Sequence, residues 1–135
     1  MYFMKTKAKV LIVVDKKPKK RKNVMSFEEI IEKNAPNMYE YYYGIGDEDA
    51  IKQIEEYRPE IVFMQHNNSK GVLGLLKKVK TMHPLVAVFI LLDNVDDENE
   101  LLVEYMAAGA YKCYCIPPLI INSLIHDMYV ALNLE

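Results

Sequence analysis

Two apolar runs of this sequence end on polar side chains, and those ends are where its chemistry would sit. Val10–Asp15 reads VLIVVD and closes on a carboxylate; Arg58–Gln65 reads RPEIVFMQ and closes on an amide. An aspartate binds hard cations and can act as a nucleophile. A glutamine carries no charge and is a poor nucleophile. Directly after Asp15 comes KKPKKRK, in which Lys16, Lys17, Lys19, Lys20, Arg21 and Lys22 place six positive charges in seven residues around Pro18. Like charges repel and the proline lacks a backbone donor, so an exposed loop is expected. A solvated loop and an anion site, for a nucleotide, a nucleic acid or an acidic partner, have equal weight here. Six positive charges beside one aspartate argue against a metal at that spot.

Cys113 and Cys115 stand two apart in YKCYC. On a strand they share a face, with Cα atoms ~6.6 Å apart. Their β-carbons lie side by side rather than facing, which is poor disulfide geometry. The expected role is that of small core residues. A zinc site would need two more ligands, and no CxxC or HxxxH supplies them. His66 follows Gln65, but adjacent strand residues point to opposite faces, so it cannot stand in for Gln65. The tyrosines of Met38–Tyr43 suit a packed edge strand better than a base-stacking platform. There is no nucleophile elbow, phosphate-cradling glycine loop or pair of catalytic carboxylates. The expectation is a protein that is not an enzyme and needs no metal or cofactor.

The elements that position these residues alternate. Lys9–Asp15, Ile61–Gln65 and Val86–Leu92 are continuous apolar runs, as strands buried on both faces should be. Met38–Tyr43 is an edge strand, and Tyr111–Cys115 a short fifth one. Between them fall helices. Ser26–Glu29 (SFEE) is a capping box for the first, which ends near Asn34–Pro36. Gly44–Gly46 is read as a turn, after which Asp47 or Asp49 caps a helix through Tyr57 with Ile51 and Ile54 inward. His66–Lys70 is read as loop, followed by a helix over Gly71–Met82. Another helix runs to Ala108, with Gly109 as its stop. The last, Leu119–Leu132, carries Ile120, Leu124, Met128 and Leu132 on one stripe. Five strand–helix alternations with short links call for a parallel sheet with helices on both faces.

The 135 residues, 51% hydrophobic and 27% charged with net charge −2, suit one domain over residues 1–135 and give no bias toward polyanions. No run approaches the ~20 apolar residues of a membrane span, and MYFMKTKAK lacks the features of a signal peptide. A cytoplasmic protein is expected. Leu134–Glu135 has the look of a scar before a tag, in which case the chain is one domain of a longer protein.

Over about Lys7–Leu132 the sequence resembles the receiver domain of bacterial two-component response regulators. The resemblance rests on VLIVVD, on RPEIVFMQ, on AGA at Ala108–Ala110, and on YKCYC followed by Pro117, in that order and spacing. It implies a flavodoxin-like sheet in the order 2-1-3-4-5 with five helices. It also implies phosphoryl transfer to an aspartate ending the third strand, helped by an acidic pair and Mg²⁺, a hydroxyl and a lysine. Here the phosphoacceptor position holds Gln65. The acidic pair becomes Val14 and Asp15. The hydroxyl position falls at Asp93 or Asn94, the lysine position at Ile116 and the aromatic switch position at Cys113. The resemblance therefore implies a degenerate receiver, with fold kept and phosphorylation lost.

Two functional classes follow. One is a signalling module acting by contact with a protein partner: an output domain, a kinase, or a second copy in a homodimer. The other is an anion- or nucleic-acid-binding domain using Lys16–Lys22. A conventional phospho-switch is disfavoured by Gln65. Receivers commonly use the face of the fourth helix, fifth strand and fifth helix. Apolar residues beyond one stripe there, among them Leu101, Tyr105, Ile121 and Ile125, mark it as a candidate interface. The peptide bond before Pro117 is expected to be cis.

Overall fold

The computed structural model describes residues 7–16, 24–66, 71–93, 98–116 and 120–133; within them the side chains of His66, Asp93, Glu98, Asn99, Ile116 and Asn133 are not described. Five strands are present: β1 (Ala8–Val14), β2 (Tyr39–Ile45), β3 (Ile61–His66), β4 (Ala87–Asp93) and β5 (Lys112–Ile116). Five helices alternate with them: α1 (Phe27–Asn34), α2 (Gly46–Tyr57), α3 (Gly71–Met82), α4 (Glu98–Ala107) and α5 (Ile121–Asn133). The sheet is wholly parallel in the order β2-β1-β3-β4-β5, as the alternation requires. Among the described residues no helix is long and apolar enough to cross a membrane.

The apolar runs became the central strands because each of their side chains has a layer to enter. Successive residues alternate between two cores. Leu11, Val62, Met64, Val88, Ile90 and Leu92 face α2, α3 and α4, where Ile54, Leu75, Leu76, Val79 and Tyr105 wait. Val10, Ile12, Ile61, Phe63 and Phe89 face α1 and α5, against Ile31, Leu124 and Met128. In the second core Phe63 lies edge-on to Phe27 and tilted to Phe89, at ring-centroid distances of 4.9 and 5.2 Å.

Local signals were obeyed with adjustments. Ser26 caps α1, its Oγ accepting from the Glu29 N–H at 3.2 Å. The Gly44–Gly46 turn is not a turn. β2 continues through Ile45, and α2 starts at once on Gly46, whose φ of +82° makes the corner. No side chain caps α2 from Ile45; instead Asp49, inside the first turn, accepts from the Ile45 N–H at 2.8 Å. His66 belongs to β3 and pairs with Leu92, not to a loop. Ile120 precedes α5 and is exposed, so the inward side of that helix is carried by the half-buried Ile121 and the buried Leu124 and Met128. Gly109 ends α4 at φ +107°. The peptide bond before Pro117 lies outside the described residues.

Candidate functional site

All strands run the same way, so their carboxyl ends form one edge, where ligands of such sheets collect. Asp15 and Lys16 sit there, exposed, immediately after β1. Gln65 is exposed near the end of β3, the strand beside β1. By alternation it shares the α1/α5 face with Ile61 and Phe63. Asp93 and Ile116 are paired in register at the ends of β4 and β5. The topology thus brings the strand ends bearing Asp15, Gln65, Asp93 and Ile116 to one edge. Asn94, the side chains of Asp93 and Ile116, and the loop residues Lys17, Lys19, Lys20, Arg21 and Lys22 lie outside the described residues.

What that edge can do follows from its donors. The alternating pattern leaves an amide, not a carboxylate, at the exposed end of the central strand. Among the described residues no three His, Cys, Asp or Glu side chains converge as a metal site would require.

Cys113 and Cys115, on the same face of β5, pack against the α2/α3/α4 core and are partly buried thiols outside any disulfide. Burial, with Cys115 as a second contributor, pushes the Cys113 thiol up to about 11. Met106 of α4 brings its Sδ to 4.0 Å from Cys113 Sγ. This contact has no local sequence signal, because the two residues are joined only through the Ala108–Ala110 corner.

The opposite face of β5 carries a latch that the sequence did not announce. The Tyr114 hydroxyl donates to Asp127 Oδ2 of α5, and Lys112 Nζ lies 3.6 Å from the same oxygen. Burial first, and the Asp127 hydrogen bond second, push the Tyr114 phenol well above its ordinary range.

The candidate interface needs correcting. Tyr105 is 2% exposed, a residue of the α2/α3/α4 core rather than of the surface. Burial, then nearby Cys113 and Glu104, push its phenol up to about 12. Leu101, Ile121 and Ile125 are half-buried and packed against the cores. The large apolar side chains that α4 and α5 expose among the described residues are Val103 (68%), Met106 (49%) and Tyr129 (55%). An α4 with apolar residues on most of its circumference turns one part inward, and Tyr105 lies on that part.

No protein-family model matches the sequence, and no curated protein matches it. Solved structures do. A response regulator from Thermotoga maritima superposes with a TM-score of 0.72 at 16% identity, covering 93% of this chain and 98% of that one. The signal receiver domain of a LuxO repressor protein from Vibrio parahaemolyticus gives 0.69 at 18%, covering 93% and 90%. NtrX from Brucella abortus, in complex with ADP, gives 0.67 at 22% over 93% of this chain; the chain spans 26% of NtrX. Five parallel strands in the order 2-1-3-4-5 with five helices, superposing on these proteins nearly end to end of the chain, give it the flavodoxin-like fold of response regulator receiver domains.

Proposed function

We propose that this chain is a receiver-fold signalling module of the two-component type that takes no phosphoryl group and acts through protein–protein contact. The observation that carries the reading is Gln65, exposed near the carboxyl end of the central strand, where a receiver places its acceptor aspartate. Acyl phosphate formation needs a carboxylate oxygen to attack phosphorus, and an amide does not supply one. Asp15 is the one carboxylate kept from the expected acidic pair, too little charge for the usual Mg²⁺ site. Ile116 stands where a receiver has the lysine that holds the new charge. The partner surface is the α4–β5–α5 face, supported by the exposed Val103, Met106 and Tyr129. The partner is an output domain, a kinase or a second copy.

The test is incubation with acetyl phosphate or carbamoyl phosphate and Mg²⁺, followed by intact mass measurement. The expected result is an unchanged mass and no hydroxylamine-sensitive phosphoprotein, while a conventional response regulator treated in parallel is labelled. Stoichiometric gain of one phosphoryl group overturns the reading. Gln65→Glu, which places a fixed negative charge at that position, is expected to leave the fold and partner binding unchanged, because the lysine and hydroxyl that sense such a charge are absent.

A further inference from the structure

Where α4 meets β5, the sulfurs of Met106 and Cys113 lie 4.0 Å apart, and Cys115 shares the Cys113 face of the strand. We propose that Cys113, Cys115 and Met106 form a binding site for Cu(I). The first ground is the donor set. Two thiols and a thioether are soft ligands, which favour Cu(I) over the hard cations. Zn²⁺ takes four ligands, and among the described residues no His, Asp or Glu completes a set of three with these cysteines.

The second ground is distance. Metal–sulfur bonds of about 2.3 Å, opened at the trigonal angle, hold two sulfurs of one ion about 4 Å apart. Met106 Sδ and Cys113 Sγ stand 4.0 Å apart before any ion is bound. Cys115 emerges on the same face of β5, the next inward-facing residue along the strand.

The third ground is access. Core side chains here are 0–6% exposed, but Met106 is 49% exposed and both thiols are only partly buried. An ion can reach them from solvent. Each thiol that binds gives its proton to solvent as its sulfur takes the ion. The site lies away from Gln65 and stands whether or not the signalling reading does.

The experiment uses the full chain, reduced and anaerobic, with Cu(I) presented as its coloured bicinchoninate complex. The wild-type chain is expected to withdraw one Cu(I) per chain. Cys113→Ser and Cys115→Ser are each expected to lose the withdrawal. Met106→Leu is expected to keep the stoichiometry but weaken retention by at least about tenfold, the scale on which even outer-shell partners of a metal act. Circular dichroism confirms that each variant is folded. Failure of the wild-type chain to withdraw Cu(I), or equal withdrawal by the Cys113→Ser/Cys115→Ser double variant, overturns the proposal. If a variant does not fold, X-ray absorption on the wild-type copper complex decides: a shell of two or three sulfurs supports the site, and nitrogen or oxygen ligands overturn it.

Discussion

Gly44 is fixed by space rather than by backbone angle. A β-carbon built there would lie 2.8 Å from the Cα of Ala50 and 3.1 Å from its Cβ, so β2 and the first turn of α2 touch backbone to backbone. Ala50 is itself wholly buried and has nowhere to move. Gly44→Ala is expected to destabilise the fold by about 1–3 kcal/mol, the usual cost of overpacking. The check is a lowered urea midpoint at unchanged slope; an unchanged midpoint would show that α2 shifts freely. The same residue shows where sequence reading fails. Gly-Ile-Gly after a strand is a turn signal by local rules, and only the approach of α2 reveals that one glycine is needed for contact and the other, Gly46, for the corner. Cys113 is the parallel case. Its place on β5 was legible from the alternation, whereas the Met106 sulfur beside it depends on how α4 lies over the sheet.

At the scale of elements, the strands were the most legible part, because a run such as VFMQ or VAVFILL has no other way to bury both sets of side chains. Their ends drifted by a residue or two, as hydrogen-bonded pairing runs past the apolar core into Ile45, His66 and Asp93. Less legible were the polar bonds that fasten helix to strand. Tyr114 of β5 donates to Asp127 of α5, and Tyr43 of β2 donates to Glu28 of α1 at 2.7 Å. Each is a long-range pairing of a surface-compatible residue, invisible to periodicity. They have a pH consequence. Burial first and the carboxylate second raise both phenols above their ordinary value, and burial raises Tyr105 likewise, to about 12. A group whose folded pKa is raised contributes stability that is complete below its unfolded value, about 10 for tyrosine, and is lost as pH climbs through the folded value. Lys80, lowered by burial, runs in the opposite sense but is outnumbered. Cys113, raised by burial to about 11, loses its share from about pH 9 upward, so denaturation midpoints are expected to hold to about pH 9 and to fall more steeply above about pH 10 as the tyrosines follow. Tyr114→Phe should flatten part of that fall, and an equally steep loss in the variant would show that this latch does not contribute.

For the molecule as a whole, the question is which surface meets a partner. The excess of apolar residues on α4 and α5 was legible in the sequence, but its division between inside and outside was not. Helical periodicity gives a stripe its direction only when one side is polar, and α4 (ENELLVEYMA) is apolar over most of its turn. Tyr105 goes in and Val103 stays out. Those two positions make a paired test. Tyr105→Asp buries a charge without a partner and should unfold the chain or cost several kcal/mol, in the tail of single-substitution effects. Val103→Asp combined with Tyr129→Glu changes exposed side chains on α4 and α5 and should leave stability within about 0.5 kcal/mol for each change. If the α4–β5–α5 face is the interface, this double variant remains folded but loses self-association in analytical ultracentrifugation, or loses capture of the partner that the wild-type chain binds. If both are unchanged in a folded variant, the interface lies elsewhere. The six charges of Lys16–Lys22 then become the leading candidate, and charge reversal at Lys19 and Lys20, read out in the same capture, follows as the deciding measurement.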